Sequence, residues 1–296
     1  MPDKLNILVA VPYMNGRVVD VLKRNADSIR FLLDSGAFTA WKAGKVVGVD
    51  DYCRFLDKLP IKPWRYFTLD VIGDPDGTMA NYETMLKRGF RPVPIFTRGE
   101  DVSVLEDYYK TSDLVAIGGL VQTRGNKGFV NGVMKQVGNR KVHWLGFTLM
   151  EFVKSYFPYS VDTSSWSMAF RYASGLIFAD NMASTKITKS MFRKRPTNRL
   201  SALIREHSVD PADLALNREW SNGNKARPFA IELLTHRTWV RLMLQLEGKD
   251  CKLFMACSTE GQVRLTCDAF RYWKKHENGS NFLGRDGLGH LSQATA

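Results

Sequence analysis

The stretch RFLLDSGAFTAW, residues 30–41, shows the pattern that decides the predicted fold. Its apolar run at residues 31–33 is typical of a buried strand, and the run ends directly on the carboxylate of Asp34. Small residues follow, and the aromatic residues Phe38 and Trp41 come next. A turn explains the small residues but not the carboxylate, and other apolar runs of the chain end in the same way.

Eight apolar runs of strand type occur within residues 1–185. They are NILVAV, RFLLD, YFTLDV, PVPIF, LVAIGG, VHWLGF, YSVDTSS and GLIFAD. Amphipathic segments of helical type separate most of them, and this alternation predicts an α/β protein whose catalytic core is a (β/α)8 TIM-type barrel over residues 1–185. An open doubly wound sheet is the main alternative, although no G-x-G-x-x-G motif or P-loop follows the first strand.

The chain after residue 185 follows a different pattern. Residues 186–296 contain the strongly basic segment KSMFRKRPTNR, then segments of helical type, and a tail rich in glycine and polar residues. We expect a basic, mainly helical C-terminal extension that packs on the barrel. Two apolar runs on either side of the sequence TEGQ predict a hairpin near residues 251–270.

The charge of the chain favours a polyanionic partner. Lysine and arginine number 42 against 30 aspartates and glutamates, a formal net charge of +12. Nucleic acid is the first candidate and an anionic membrane surface the second, while a basic but otherwise ordinary enzyme is the alternative. No apolar run is long enough for a transmembrane helix, and the N-terminus lacks the features of a signal peptide. We therefore expect a soluble, cytoplasmic protein (in the host cytoplasm if a phage encodes it) with no membrane partner.

Three predicted strands end in carboxylates that are candidates for a site, Asp34, Asp70 and Asp162, while Asp180 at the end of GLIFAD is expected to cap a helix or close a turn. In a (β/α)8 barrel the active site lies at the carboxyl ends of the strands. A single aspartate there often caps the next helix, but three that converge are costly without a use or a partner. Two carboxylates across a substrate can act as nucleophile and general acid/base on a glycosidic carbon. Ser-His-Asp and H-E-x-x-H patterns are absent from the sequence, and His143 is expected to be structural.

Four short motifs in this order resemble the tRNA-guanine transglycosylases, and most closely their DpdA-type relatives that insert 7-deazaguanines into DNA. The motifs are DSGAF at 34–38, GGL at 118–120, LG at 145–146 and DTSSW at 162–166. They cover roughly residues 30 to 170. The second glycine of the family's first motif is replaced here by Ala37.

The resemblance implies a role for each matching residue. Asp162 is the nucleophile that attacks the C1′ carbon and expels guanine, and Asp34 is the general acid/base. The implied base-binding residues are Asp70, Phe38, Gly118, Gly119, Leu120, Leu145 and Gly146. The implied reaction exchanges guanine in DNA for a 7-deazaguanine such as preQ0 or preQ1. The same exchange on tRNA is the first alternative, and a barrel that only binds nucleic acid is the second.

Basic residues outside these motifs are candidates for contacts with the nucleic-acid backbone. They are Arg98, Arg124, Lys127, Arg193, Lys194 and Arg195. The tRNA enzymes of the family carry a structural zinc on closely spaced cysteines, whereas the candidates here are far apart. They are Cys251, Cys257, Cys267 and His276. We therefore expect no cofactor and no metal, with a structural zinc as the alternative, and the sequence leaves the oligomeric state open.

Overall fold

The computed structural model describes residues 3–120, 127–194, 196–220 and 228–280. Its strands are β1 (Leu5–Ala10), β2 (Ile29–Asp34), β3 (Arg65–Tyr66), β4 (Ile95–Phe96), β5 (Leu114–Ile117), β6 (Lys141–Trp144), β7 (Ser160–Thr163), β8 (Ser174–Phe178), β9 (Ser184–Thr188) and β10 (Lys252–Ala256). Its helices are α1 (Gly16–Arg24), α2 (Ala37–Lys42), α3 (Val49–Lys58), α4 (Pro75–Lys87), α5 (Val104–Thr111), α6 (Lys127–Val137), α7 (Met150–Tyr156), α8 (Met168–Tyr172), α9 (Asn198–Arg205), α10 (Ala230–Glu247) and α11 (Glu260–Ser280).

Eight of these strands form one sheet in the order β3-β2-β1-β10-β7-β6-β5-β4. Every neighbouring pair in that order is parallel. Helices lie between most of the strands along the chain, because parallel strands must be joined by long crossover connections. The predicted α/β class is confirmed, and the curled parallel sheet with its helices is consistent with a TIM-like barrel.

The two outermost strands of the order, β3 and β4, continue into segments that also pair. A parallel bridge joins Phe67 to Val93. The Thr68 N–H donates to the Val93 carbonyl at 2.9 Å, and the Val93 N–H donates to the Tyr66 carbonyl at 2.8 Å. These bonds give partners to backbone groups that an open sheet edge leaves unpaired.

Side-chain alternation along the strands separates two hydrophobic clusters. Leu8 of β1 and Phe254 of β10 belong to a small cluster that also contains Ile95 of β4. Their chain neighbours Ile7 and Met255 belong to a much larger cluster, shared with the helices. Because successive side chains point to opposite faces of a strand, the small cluster fills the inside of the curled sheet and the large one lies beneath the helices.

The eighth strand of the parallel sheet is β10, not the predicted segment at residues 175–180. β10 lies between β1 and β7, whereas residues 175–178 belong to β8, which pairs antiparallel with β9. The five-residue sequence ADNMA joins β8 to β9, and a parallel crossover needs a dozen residues or more. The prediction that residues 1–185 supply all eight strands is therefore wrong, while the division into domains stays a prediction.

The hairpin predicted near residues 251–270 is also wrong, because α11 follows β10. The buried side chains of α11 include Val263, Cys267 and Phe270, and spacings of four and three residues place them on one face of a helix. The region after residue 185 thus contributes a strand to the main sheet as well as helices. None of the helices in the described ranges has the length and apolar character that crossing a bilayer requires.

A polar network anchors the chain immediately before β10. Arg30 of β2 donates to Asn6 Oδ1 at 2.7 Å and to Glu247 Oε1 at 2.9 Å. Asn6 Nδ2 donates in turn to Glu247 Oε2 at 2.9 Å. Glu247 is the last residue of α10, so the network holds the end of this helix against β1 and β2 and positions β10 to enter the sheet.

Candidate active site

The carboxyl end of β2 carries Asp34 and turns directly into α2. The Gly36 N–H donates to Asp34 Oδ2, and Ser35 Oγ donates to Asp70 Oδ1, both at 3.0 Å. Gly36 has a φ of 78°, and a Cβ atom on it would lie 2.2 Å from Pro12 Cδ. The turn therefore requires glycine, and it places the carboxylates of two neighbouring strands beside each other.

The environment raises the pKa of Asp34 from its ordinary value of 3.8 to about 7. Burial is the largest cause, and the negative charges of Asp70 and Asp162 raise the pKa further. Burial also raises the pKa of Asp70, against the opposing effect of the hydrogen bond from Ser35. The structure thus brings the three predicted carboxylates together. A carboxyl group with a pKa near 7 can both donate and accept a proton near neutral pH.

Asp162 is held by one of its two carboxylate oxygens. It lies in β7 and is 8% exposed. Its Oδ1 accepts a hydrogen bond from the Gly146 N–H at 2.7 Å and lies 3.1 Å from His143 Nε2. No donor in the described part of the chain bonds to Oδ2, which is therefore the oxygen available to a substrate.

His143 is the residue of this site whose role the sequence prediction missed. It is fully buried in β6, with Nε2 facing Asp162 and Nδ1 2.8 Å from Ser160 Oγ. The rings of Phe67 and Phe254 flank it, with centroids at 4.9 and 6.3 Å. The sequence feature that could have identified this role is the alternation of side chains between the two faces of a strand. It places His143 on the same face of β6 as the predicted site residue Leu145.

The ends of β4, β5 and β6 bring most of the remaining predicted base-binding residues together. A Cβ atom on Gly118 would lie 4.0 Å from Leu145 Cδ1, and one on Gly119 would lie 2.9 Å from Arg98 Cβ. Gly119 has a φ of 72°, a conformation that favours glycine. Leu120 is buried. A Cβ atom would therefore make ordinary contacts at Gly118 but would be crowded at Gly119, where the backbone lies close to Arg98.

Phe38 lies on α2, four residues after Asp34, and its side chain is 48% exposed. Its ring stacks on that of Trp41 with centroids 5.8 Å apart, and Lys42 Nζ lies 4.5 Å from the Phe38 centroid. Its predicted contact with a substrate base stays a prediction.

The predicted backbone-contact residues fall into two groups. Arg124 and Arg195 lie outside the described residues. Arg98, Lys127, Arg193 and Lys194 are exposed. Among these, Arg98 lies beside Gly119 at the candidate site, and Lys127 forms an ion pair with Glu151.

The four zinc candidates do not form a cluster in the described part of the chain. Within the described ranges, no group of three or more His, Cys, Asp or Glu side chains could hold a metal ion. Burial raises the pKa of Cys251 and Cys257 to about 12 and that of Cys267 to about 11, which favours the thiol over the metal-binding thiolate. His276 is exposed, and its Nδ1 lies 2.8 Å from the Tyr272 carbonyl.

Comparison of the chain with protein-family models, curated proteins and solved structures finds no match. Any assignment of function therefore rests on the chemistry of the site itself.

Proposed function

We propose that this protein is a transglycosylase that exchanges guanine in nucleic acid, preferably DNA, for a 7-deazaguanine base. The observation that carries the proposal is the set of three aspartates at the carboxyl ends of strands in one parallel sheet, close enough for Asp70 and Asp162 to act on the charge of Asp34. Asp34 has a pKa raised to about 7, and Asp162 is held by one carboxylate oxygen with the other available. A proton-transferring carboxyl beside a fixed carboxylate is the pair that substitution at a glycosidic carbon needs.

The first half-reaction breaks the bond between the base and the sugar. Oδ2 of Asp162 attacks C1′ of the target nucleotide, and the C1′–N9 bond breaks as the new C–O bond forms. Protonated Asp34 donates its proton to the departing guanine, which leaves as the neutral base. The sugar is then held as an ester of Asp162.

The second half-reaction reverses these steps with a different base. Asp34, now a carboxylate, removes the N9 proton from the incoming 7-deazaguanine. The nitrogen attacks C1′, and the ester bond breaks to restore the carboxylate of Asp162. Two displacements at one carbon return the original configuration at C1′.

His143 and Gly146 position the nucleophile in this scheme. Both engage Oδ1 of Asp162, and this fixes the direction in which Oδ2 points. Ser160 contacts the other ring nitrogen of His143, so the imidazole is held on both sides. Such support keeps a reacting group close to its productive geometry.

The remaining residues of the site suit a flat, guanine-like base. The carboxylate of Asp70 can accept the two adjacent N–H groups on the edge of such a base. Leu145 and Phe38 offer apolar faces for its rings, and the backbone around Gly118 to Leu120 can approach its edge closely.

The proposal includes the finer architecture that this activity needs. We propose that the sheet closes into a (β/α)8 barrel, supported by the backbone bonds of Val93 with Tyr66 and Thr68. We propose that helices of the C-terminal region pack on that barrel, and the contacts of α10 with β10 and of α11 with β1 support this. We also propose that the activity is cytoplasmic, where both nucleic acid and free bases are present.

Incubation with isotope-labelled guanine tests the proposal. Single-stranded DNA, duplex DNA and tRNA are each incubated with the protein, and label is measured in the recovered nucleosides. We expect label in DNA, lost in Asp162→Asn and retained in Asp20→Asn, a change at an exposed position on α1. Label in tRNA alone would select the tRNA alternative. Binding of nucleic acid with no label in any substrate would select the binding-only alternative.

A further inference from the structure

An exposed apolar surface lies next to the candidate active site. Phe38 and Trp41 of α2 are 48% and 56% exposed, and Val46 and Val47 in the following loop are 98% and 36% exposed. We call these four residues the α2 patch. The two rings stack on each other with an interplanar angle of 27°. Large side chains grouped in this way on a protein surface commonly mark a binding site.

The segment that carries the α2 patch contains basic residues but no acidic ones. Lys42 lies over the Phe38 ring at 4.5 Å, and Lys45 is exposed in the same loop. No acidic residue occurs between Asp34 and Asp50 in the sequence. Asp50 forms an ion pair with Arg88, so an arginine balances that nearby carboxylate. Aromatic faces beside exposed lysines are the combination that binds the bases and phosphates of a single strand.

The position of the patch relates it to the proposed reaction. α2 begins three residues after Asp34, and the intervening turn is held to Asp34 by the hydrogen bond from Gly36. The rise of an α-helix places Trp41 about 6 Å along the axis from Ala37. Trp41 therefore lies about one helical turn beyond the start of the helix that directly follows the Asp34 turn.

We propose that the α2 patch binds the nucleotide adjacent to the target guanine. The base of that nucleotide stacks on Trp41, and Lys42 contacts its phosphate. A base that stacks on a protein ring has left its own helix, so the strand must be unpaired or locally opened at this point. This inference rests on the proposed function and extends it to the conformation of the substrate.

A nucleotide suits the patch better than a protein surface does. A stable protein interface needs about 800 Å² and 20 to 30 residues on each side, and the patch offers four apolar side chains. A second copy of the chain would also bring a second net charge of +12 to the contact, and like charges repel. One base with its phosphate matches both the size and the charge of the patch.

The test measures binding to fluorescently labelled single-stranded DNA in the Asp162→Asn background, where no exchange complicates the equilibrium. We expect Trp41→Ala to weaken binding about 5- to 100-fold, and Trp41→Phe to retain most of the affinity. Lys42→Ala should reduce the salt dependence of binding by about one phosphate contact. Tyr172→Ala is the matched control, because Tyr172 is an aromatic residue that is 70% exposed on α8.

A second substrate identifies the group that Trp41 contacts. DNA with abasic positions on both sides of the target should bind the protein that retains Trp41 as weakly as intact DNA binds the Trp41→Ala variant. The affinity of the Trp41→Ala variant should be the same for the abasic and the intact DNA. Unchanged binding by Trp41→Ala would overturn the inference, as would a dimer in solution that this substitution dissociates. If no exchange is detected in any substrate but Trp41→Ala still weakens DNA binding, the proposed function is wrong and the stacking site is supported.

Discussion

Replacing Asp34 with asparagine should stabilise the protein at alkaline pH. Burial and the charges of Asp70 and Asp162 raise the pKa of Asp34 to about 7, so the folded protein opposes ionisation of this group. Asparagine is close in shape to the protonated acid, and its side-chain oxygen can accept the hydrogen bond that Gly36 donates to Asp34. The substitution therefore removes the charge from a partly buried position while leaving its main hydrogen bond in place.

The size of the effect follows from linkage between protonation and folding. Asp34 ionises near pH 3.8 in the unfolded chain and near 7 in the folded protein. Between these values the folded state binds more protons, so the contribution of Asp34 to the free energy of unfolding falls as pH rises. At about 1.4 kcal/mol for each pH unit, the loss approaches about 4 kcal/mol above pH 7.

Urea unfolding at about pH 4 and about pH 8 measures this contribution. The difference in unfolding free energy between Asp34→Asn and the parent protein should widen in favour of the variant by up to about 4 kcal/mol between these two conditions. Asp20→Asn, at an exposed position, should stay within about 0.5 kcal/mol of the parent. An equal change of the unfolding free energy with pH in Asp34→Asn and the parent would refute the raised pKa. It would also refute the assignment of Asp34 as the proton carrier.

Three further substitutions test other parts of the structure. His143→Ala should lower kcat for exchange about 10- to 100-fold with a smaller change in KM. His143→Gln, whose amide can still donate to Asp162, should recover part of kcat. An equal loss of kcat in the two variants would contradict a positioning role. Glu247→Ala should lower the free energy of unfolding by about 2 kcal/mol because it breaks a largely buried network, whereas Glu83→Ala, from an exposed pair, should cost less than about 1 kcal/mol. Gly119→Ala should lower the free energy of unfolding in urea more than Gly138→Ala does. Both glycines have positive φ, but an added Cβ atom would be crowded only at residue 119, against Arg98. Equal losses of unfolding free energy would show that the contact with Arg98 relaxes freely.

The convergence of the carboxylates could be predicted because it depends on strand ends alone. Each of Asp34, Asp70 and Asp162 follows or ends an apolar run, and parallel strands bring their carboxyl ends to one edge of a sheet. The environment that raises the pKa of Asp34 could not be predicted, because it depends on the packing and mutual distances of groups that lie far apart in sequence.

The eighth strand could not be identified from apolar content. The run at residues 175–178 and β10 are similarly apolar, and only pairing with neighbours distinguishes them. Two features of the sequence did carry information. The five residues between β8 and β9 indicate a hairpin, and the spacing of Val263, Cys267 and Phe270 is helical.

The role of His143 depends on a contact between two strands. Alternation along β6 assigns His143 to a face, but the relative register of β6 and β7 decides which residue it meets. In the structure His143 pairs with Ser160 across the two strands, and this register brings its ring to Asp162.

The mass of the protein after reaction with DNA tests the central claim most directly. The protein is mixed with a short single-stranded oligonucleotide containing one guanine, quenched in acid after a short interval, and measured intact. The account predicts a species whose mass is that of the protein plus the oligonucleotide minus one guanine, absent in Asp162→Asn. Exchange without this species, or the same species in Asp162→Asn, would contradict the assignment of Asp162 as the nucleophile.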